Sequence, residues 1–540
     1  MSTGAARLPN RLRPLARLRL GLDRVEAGAL AAFTALSLVV LAGLLVRVWT
    51  QGGIVTGGDG FLVVDQLQYL NWLRQAGEQA AAENLYDLRD GPASFVHPAL
   101  LLSGLLHRAG LGLFESYLIW KPVAVAALFA GALLYARRFL ALPRDRHVAL
   151  VAALFTASPL SALVGWSGLG GAEAKFDFDF IGGELWPGTY LWGYYLTGIA
   201  VGLVPLGLLA YERGRAGGAR ARTMLGLAAL AGLLASWLQP WQGATFALLL
   251  AGVELVQWRR RETGPAAMAL RLGPVLAATA VPLVYYYVLS RADPSWALAG
   301  AANAFPRWPW WVTVAGLAPL ALPAVFAYRL PAPDFGALAL RLWPLAGLAV
   351  FYLPFGTFPF HAFQGLALPL SVLGVLALRS HLGARPLPLG ASVAALALLI
   401  VPGTAYRLAE VRDAVAKGRQ PHFLTTGEHD ALRYLDRTGE RGGVLAPVYS
   451  GLLIPAYTGR ETWVGAGSWT PDFARRSVLA ERLFAGELGP RRARRIVLES
   501  RARFLFADCH GRADIGPLLA PLAGPPRRFG CAAVYRVRLP

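Results

Sequence analysis

Long apolar runs recur along the first three quarters of this 540-residue chain, and they constrain its fold more than any other feature. Runs of about twenty residues have the length that an α-helix needs to cross the hydrocarbon core of a membrane. Only 16% of the residues are charged and the mean hydropathy is +0.45, whereas about a quarter of the residues of a soluble domain carry charge. The pattern predicts an α-helical polytopic membrane protein with about eleven spans. The spans are predicted at residues 28–49, 118–138, 147–165, 189–211, 223–238, 243–258, 268–290, 310–329, 339–355, 362–379 and 388–407.

Positive charge is concentrated in connections that share one side of the membrane if the N-terminal tail is inside. Arginines follow the second, fourth, sixth, eighth and tenth spans, whereas the connections Gln239–Gln242 and Gly356–His361 contain no Arg or Lys. The positive-inside rule therefore predicts a cytoplasmic N-terminus and, after eleven spans, an external C-terminus. The net charge of +20 is explained by this topology and by contact with anionic lipids, so no nucleic-acid partner is expected.

The chain is predicted to have three parts. Residues 1–27 form a basic cytoplasmic tail, and residues 28–407 form a transmembrane domain with long outer loops at 51–116 and 166–188. The apolar run after the tail has full length and no convincing cleavage site, so it is expected to be retained as the first span. Residues 408–540 are predicted to form a soluble extracytoplasmic α/β domain. Its predicted helices are Glu428–Arg437, Ser477–Phe484 and Arg491–Ser500, and its predicted strands are Val444–Tyr449, Arg503–Ala507 and Ala532–Val537.

Cys509 and Cys531 are the only cysteines, and both follow or begin predicted strands of the outer domain. Oxidising surroundings outside the cell permit a disulfide between them. Two unpaired buried thiols are the alternative.

The first outer loop carries the main candidate for catalysis. Asp65 and Tyr69 are four residues apart and would share one face of a helix, while Leu67 and Leu70 add an apolar stripe suited to the membrane surface. A carboxylate held there is well placed to accept a proton from a hydroxyl nucleophile. An exposed carboxylate or a helix cap is the alternative interpretation. Asp59 lies in a Gly-rich turn, where a structural role is expected, and it is the second candidate for the base.

The segment Asp65-Gln-Leu-Gln-Tyr69 resembles the Asp-Glu-x-x-Tyr pattern in the first outer loop of the GT-C superfamily of membrane glycosyltransferases. The predicted topology is also similar to that of this superfamily, whose members include protein O-mannosyltransferases and lipid A aminoarabinose transferases. The resemblance implies an enzyme that takes a sugar from a polyprenyl-phosphate lipid and inverts its anomeric centre, with Asp65 as the base. Gln66 departs from the pattern, because relatives often have a second acid there.

The second outer loop contains two acidic residues that alternate with aromatic residues. Asp177 and Asp179 would point the same way from an extended segment, and paired carboxylates suit a hard divalent cation. Oligosaccharyltransferases, a metal-using branch of the superfamily, are similar in having acidic pairs in such loops. A solvated acidic loop is the alternative, and because most relatives with simple phosphate-linked sugars need no metal, no cofactor is expected.

A phosphate-linked lipid requires donor groups near the level of the outer headgroups. Lys121, at the outer end of the second span, is the first candidate, because a lysine within a membrane is costly; its alternative role is snorkelling to the interface. Lys175, Arg307 and His361 are weaker candidates, and for His361 a plain hydrogen-bonded histidine is an equal alternative.

Several residues are candidates for contact with the sugar or acceptor. The outer segments Gln239–Gly243 and His361–Gly365 are alike and contain Gln242 and Gln364. Trp186 belongs to a set of tryptophans at the outer ends of spans; such residues form interfacial belts, and one or two could stack on a sugar. Tyr69 and Arg460 complete the set, although Arg460 could equally belong to a packed turn.

The sequence as a whole predicts an inverting glycosyltransferase that moves a sugar from a polyprenyl-phosphate donor to an envelope glycan or glycolipid at the plasma membrane. The absence of a nucleotide-binding motif fits a lipid-linked donor. The alternatives are a metal-dependent oligosaccharyltransferase-like enzyme and a non-catalytic flippase. A flippase would place charged residues at mid-membrane depth, whereas here the charges gather at the outer surface.

Overall fold

The computed structural model describes residues 21–353, 358–383, 385, 387–511 and 513–538. Most of the predicted tail, and residues 356 and 357 of the uncharged connection Gly356–His361, lie outside these ranges. In the first 416 residues the described helices are α1 (Arg24–Gln51), α2 (Val63–Gln79), α3 (Pro98–Arg108), α4 (Leu113–Leu118), α5 (Trp120–Phe139), α6 (Pro143–Phe155), α7 (Pro159–Ser167), α8 (Gly171–Leu185), α9 (Pro187–Leu191), α10 (Tyr195–Arg215), α11 (Ala221–Leu238), α12 (Pro240–Arg259), α13 (Pro265–Ala292), α14 (Pro294–Ala302), α15 (Trp310–Val325), α16 (Phe335–Tyr352), α17 (Ala367–Leu382) and α18 (Leu389–Ala416), with 3₁₀ turns at Phe326–Arg329 and Pro359–Phe363.

The chain is a polytopic α-helical membrane protein. Within the described residues, nine segments are helical, long and apolar enough to cross a membrane, and each corresponds to a predicted span. They are Arg24–Gln51, Leu113–Phe139, Tyr195–Arg215, Ala221–Leu238, Pro265–Ala292, Trp310–Arg329, Phe335–Tyr352, Pro359–Leu382 and Leu389–Ala416.

The two other predicted spans differ from simple membrane helices. The predicted span 147–165 is the pair α6 and α7, bent by 42° at the break before Pro159. Pro159 starts the new helix, and the side chain of Ser158 accepts a hydrogen bond from the backbone N–H of Ser161. The predicted span 243–258 is α12, which buries the polar side chains of Glu254 and Gln257 and is not among the nine.

The first span shows how local sequence determines a helix boundary. Asp23 caps α1: its side chain accepts hydrogen bonds from the backbone N–H groups of Val25 and Glu26, at 2.9 Å each. The carboxylate of Glu26 accepts one from the backbone N–H of Asp23 at 3.0 Å, which completes a capping box. Glu26 also forms an ion pair with Arg137 at the end of α5, so the same residue ties the first two spans together.

The C-terminal part is an α/β domain. Its helices are α19 (Thr426–Arg437), α20 (Val448–Thr458), α21 (Phe473–Phe484), α22 (Pro490–Ser500) and α23 (Gly516–Leu519). The strands of the chain are β1 (Ile54–Val55), β2 (Phe423–Leu424), β3 (Val444–Leu445), β4 (Phe504–Ala507), β5 (Arg527–Phe529) and β6 (Ala532–Arg536). The domain sheet has the order β3-β4-β6-β5, with β3 parallel to β4 and the other pairs antiparallel.

The two faces of this sheet are covered by different layers. Phe504 and Phe506 of β4 join the core shared with α19, α20 and the membrane helices. Leu505, which alternates with them, joins a second core with α21, α22 and α23. The predicted strand Val444–Tyr449 is therefore only partly correct, because Pro447 ends it and α20 follows. Arg460 directly follows α20 and Gly459, which ends that helix in the left-handed conformation.

The C-terminal domain packs on the first long loop. β1, at the start of that loop, pairs with β2, at the start of the domain. Ion pairs join Arg74 to Asp436 at 2.7 Å and Arg476 to Asp87 at 3.0 Å. The loop and the domain consequently lie on the same side of the membrane.

Candidate active site

Asp65 lies in the first turn of α2 and is partly exposed. Its Oδ2 accepts a hydrogen bond from the hydroxyl of Tyr194, which immediately precedes α10. Burial raises the pKa of the Asp65 carboxyl above its ordinary value, while the Tyr194 hydrogen bond and the charge of His361 act in the opposite direction. A carboxylate of raised pKa that remains partly exposed is suited to accept a proton.

Tyr69 follows one turn later on the same face of α2, as predicted from its spacing. Its ring lies 5.8 Å from that of Tyr117 and 6.3 Å from that of Tyr194, measured between centroids. Burial and the neighbouring Asp65 raise the pKa of the Tyr69 phenol, so it stays protonated. Packing holds this ring beside the candidate base.

A glycine allows this close packing. Gly193 has a φ of +105°, and a Cβ there would lie 1.9 Å from Nε2 of Gln66 in α2. The backbone carbonyl of Gly193 also accepts a hydrogen bond of 2.8 Å from the hydroxyl of Tyr117. A side chain at position 193 would push α2 away from the segment that carries Tyr194.

His361 belongs to a second polar group in the same region. Its Nδ1 lies 3.1 Å from both carboxylate oxygens of Glu184, at the end of α8. Nε2 of Gln364 is 2.9 Å from the same nitrogen. Nε2 of Gln242, from α12, donates to the backbone carbonyls of His361 and Gln364, at 3.0 Å each. The similar segments at 239–243 and 361–365 are thus in direct contact.

Two amide oxygens of this group are buried without a hydrogen-bond partner among the described residues. They belong to Gln242 and Gln364, both fully enclosed. An unpartnered buried acceptor is costly, and such atoms occur where a ligand or water completes the bonding.

Asp59 and Lys121, the second candidate for the base and the first candidate for phosphate binding, form a buried ion pair. The Asp59 side chain is 0% exposed, and its Oδ2 lies 2.7 Å from Nζ of Lys121. The same oxygen accepts a hydrogen bond of 2.6 Å from the hydroxyl of Tyr195. Lys121 also donates to the backbone carbonyls of Ser37 and Leu191, so its three donors are used. These contacts favour a structural role for both residues, and their roles in catalysis and phosphate binding stay predictions.

The second loop is helical, so the prediction of an extended segment was wrong. In α8 the residues Asp177 and Asp179 are about 200° apart around the axis and do not face one another. Asp179 is engaged by Nζ of Lys175 at 2.7 Å, by the hydroxyl of Tyr406 at 3.0 Å and by Arg407 at 3.5 Å. The predicted paired metal ligands are consequently separated.

The described residues do contain two groups of three side chains with the spacing of metal ligands. They are Asp23, Glu26 and His147, and Glu428, Asp508 and His510. Neither group includes Asp177 or Asp179.

Arg307 and Arg460 hold backbone carbonyls rather than facing the site. Arg307 donates to the carbonyls of Phe351, at 3.1 Å, and Leu353, at 2.9 Å, at the end of α16. Arg460 donates to four carbonyls after and within the end of α19, those of Leu435, Thr438, Glu440 and Gly442. These contacts favour structural roles for both residues, whereas the roles of Arg307 in phosphate binding and of Arg460 in substrate binding stay predictions.

Trp186 is enclosed, with 1% of its surface exposed, and its ring lies 4.8 Å from that of Trp192 in an edge-to-face contact. It forms part of the core rather than an interfacial belt or a sugar platform. Lys175 is exposed by 44% but pairs with Asp179. The contacts described for Trp186 and Lys175 do not include Asp65.

An apolar groove of about 710 Å³ runs between α1 and α5. Its lining includes Leu38, Val125, Ala126, Phe129 and Leu133. The groove lies along two membrane spans and has the apolar lining that a lipid chain requires.

Cys509 and Cys531 are joined by a disulfide between the end of β4 and the start of β6. The bridge closes a segment whose ends are separated by 22 residues, and it lies beside Thr425 at the start of α19.

Tyr194 and the role of Glu184 were missed from the sequence. Tyr194 lies in the aromatic run Tyr190–Tyr195, which has no polar pattern to distinguish it from core residues. Glu184 is one of several acids in the second loop, and no local pattern in the sequence distinguishes it from Asp177 and Asp179.

No family model and no curated protein matches the sequence. Among solved structures, ArnT from Cupriavidus metallidurans bound to undecaprenyl phosphate is 13% identical, with a TM-score of 0.53 over 94% of this chain and 98% of that chain. The apo state of the same protein has a TM-score of 0.51 with the same identity and coverage. The archaeal oligosaccharyltransferase AglB from Archaeoglobus fulgidus is 14% identical over 93% of this chain and 72% of that chain, with a TM-score of 0.41, too low to indicate a shared fold.

Proposed function

We propose that this chain, which has the GT-C fold, is an inverting glycosyltransferase that uses a polyprenyl-phosphate-linked sugar. In the reaction, an acceptor hydroxyl oxygen forms a bond to the anomeric carbon as the bond from that carbon to the phosphate oxygen breaks. The hydroxyl proton passes to Asp65, and the polyprenyl phosphate leaves with the electron pair. A single displacement of this kind inverts the anomeric centre.

The observation that carries the proposal is the environment of Asp65. The carboxylate is partly exposed, its pKa is raised by burial, and one of its oxygens is oriented by the hydroxyl of Tyr194. A base with a raised pKa binds the proton of an acceptor hydroxyl more strongly than an ordinary aspartate does. Asp59 is a poor alternative, because its charge is already compensated by Lys121.

His361 is the proposed contact for the donor phosphate. Its Nδ1 is engaged by Glu184, so a protonated imidazole has Nε2–H available for a phosphate oxygen. His361 lies close enough to Asp65 for its charge to lower the pKa of that carboxyl. A cation there offsets the charge that develops on the leaving phosphate.

The remaining features of the proposal concern the lipid chain, the metal requirement and the acceptor. The groove between α1 and α5 is suited to the prenyl chain. We propose metal-independent turnover, since Asp179 is already engaged by cationic side chains. The acceptor is proposed to be a glycan or glycolipid of the cell envelope, reached at the outer face of the plasma membrane.

The test is sugar transfer by the purified full-length protein in lipid nanodiscs, with a synthetic polyprenyl-phosphate sugar of defined anomeric configuration. The proposal predicts a glycosylated acceptor whose new linkage has the opposite configuration, read by NMR coupling constants. A retained configuration would contradict single displacement. Movement of the lipid across a bilayer without any transfer would favour the flippase instead.

A further inference from the structure

A cluster of aromatic side chains begins two helical turns after Asp65 on α2 and is assembled from distant parts of the chain. Trp72 comes from α2, Trp296 from α14 and Trp469 from the C-terminal domain. The ring centroids of Trp72 and Trp296 are 6.0 Å apart with the planes at 12°, and those of Trp296 and Trp469 are 5.0 Å apart. Tyr286, at the end of α13, lies 6.3 Å from Trp296. We call Trp72, Phe95, Tyr286, Trp296 and Trp469 the aromatic wall.

The members of the wall differ in exposure. Trp72 is nearly enclosed, and its centroid is 4.5 Å from that of the buried Phe95. Trp296, Trp469 and Tyr286 are each half-buried, so part of each ring remains accessible. An aromatic ring that is fixed by packing and keeps part of its surface accessible is suited to stack on the apolar face of a sugar.

Polar contacts fix the wall in place. Nδ2 of Asn84, in the first loop, donates to the backbone carbonyl of Trp469 at 2.8 Å. Oγ of Ser468 contacts Oδ1 of Asn303, which caps α14, at 3.4 Å. The C-terminal domain, the first loop and α14 therefore present their rings as one surface, and a preorganised surface costs less to bind.

One face of α2 connects the wall to the base. Asp65, Gln68, Tyr69 and Trp72 have the spacing of neighbours on a single helix face. Gln68 is only 4% exposed, yet neither its amide nitrogen nor its amide oxygen has a hydrogen-bond partner among the described residues. A buried amide with both atoms unpaired is costly, and a ligand with hydroxyl donors and acceptors would satisfy it.

We propose that the aromatic wall and Gln68 form the acceptor site and that the acceptor is a carbohydrate, bound through a sugar ring rather than through a peptide or a lipid tail. The sugar face stacks on Trp469 and the edge of the sugar meets Trp296, because the two ring planes are at 83°, and the Gln68 amide bonds a ring hydroxyl. This orients another hydroxyl of the acceptor toward Asp65, which takes its proton as described above. The inference rests on the proposed function, because only there is Asp65 the base.

The test uses the purified full-length protein and short neutral oligosaccharides of glucose, mannose, galactose and arabinose, with binding measured by calorimetry. The variants are Trp469→Ala, Trp296→Ala and Gln68→Leu, the last of which keeps the side-chain volume and removes only the amide. Trp310→Ala is the matched control, since Trp310 is 73% exposed on α15 and outside the wall. We expect at least one sugar to bind, and roughly 10-fold weaker binding in the three wall variants. The control should bind like the wild type.

A second measurement separates this inference from the proposed function. Binding of undecaprenyl phosphate should be unchanged in Gln68→Leu and Trp469→Ala, while the KM for the acceptor rises and kcat changes little. If the wild type transfers sugar but these variants have the wild-type KM, the acceptor site is elsewhere. If it transfers sugar only to peptides, or if no oligosaccharide binds, the carbohydrate assignment is wrong. If the wild type transfers no sugar to any acceptor, the proposed function itself fails.

Discussion

Two opposing effects act on the proton affinity of Asp65. Burial raises the pKa of its carboxyl, and the hydroxyl of Tyr194 stabilises the charged form and lowers it, with burial the larger effect. The catalytic base must be deprotonated, so the rate is lost as the pH falls through this pKa. The acidic limb of the pH–rate profile should therefore lie above the ordinary range of an aspartate.

Tyr194→Phe tests this balance. The substitution removes the donor that stabilises the carboxylate, so the pKa of Asp65 should rise and the acidic limb should move to higher pH. The pH dependence of kcat/KM in the purified enzyme is the measurement. Tyr86→Phe removes a buried phenol that donates to the carbonyl of Leu452 and does not influence the pKa of Asp65, so it should leave the limb in place. Identical acidic limbs for the wild type and Tyr194→Phe would show that Asp65 is not the group that titrates.

The buried pair Asp59–Lys121 makes a different prediction at the same scale. Removal of one partner leaves an uncompensated buried charge, which costs about 3–5 kcal/mol. Asp59→Asn and Lys121→Met should each lower the thermal unfolding temperature strongly. The double variant should lose less than the sum of the two single losses. A stable Lys121→Met protein that only binds the donor more weakly would restore its predicted role in phosphate binding.

At the scale of elements, most of the membrane helices could be predicted from the apolar runs in the sequence. Nine of the eleven predicted spans match described apolar helices, because a run of twenty apolar residues has few other solutions. The bend between α6 and α7 was not predicted, since the break at Thr156–Ser158 lies inside an otherwise apolar run. The length of β3 was overestimated because Val444-Leu-Ala-Pro-Val-Tyr449 is apolar. In such a short apolar run, periodicity does not distinguish a buried strand from a buried helix.

The site could be predicted only where its residues are close in the sequence. Asp65 and Tyr69 share α2, so their common face follows from spacing alone. The partners of Lys121, by contrast, come from three distant segments. No local pattern in the sequence indicates that Asp59 forms an ion pair with Lys121. Long-range pairing of this kind decides whether a charged residue is functional or structural.

Helix α8 gives a prediction about metals. Because Asp179 links α8 to α18 through Arg407 and Tyr406, Asp179→Asn should lower stability, and added manganese or magnesium should not rescue its activity. Asp177→Asn should behave nearly like the wild type. Turnover should persist in a chelator. Loss of turnover in chelator, restored by a divalent cation and abolished in Asp177→Ala, would overturn metal independence.

At the scale of the whole molecule, the pairing of β1 with β2 places the first loop and the C-terminal domain on one side of the membrane. From the positive-inside rule we expect that side to be external. Asp90→Cys and Arg437→Cys should therefore be labelled by an impermeant maleimide in intact cells. Ala216→Cys, in the connection between α10 and α11, should be labelled only after permeabilisation. Labelling of positions 90 and 437 from opposite sides would refute the packing, and internal labelling of both would refute the orientation.

The central claim is that the molecule positions one carboxylate, Asp65, to activate an acceptor hydroxyl against a lipid-linked sugar. The most direct measurement is the turnover rate of Asp65→Asn beside Glu78→Gln, which neutralises an exposed carboxylate on the same helix. Positioned general bases contribute about 10²–10⁴-fold. Asp65→Asn should lose that much turnover while it folds and binds undecaprenyl phosphate normally, and Glu78→Gln should match the wild type. Transfer by Asp65→Asn at the wild-type rate would contradict the account.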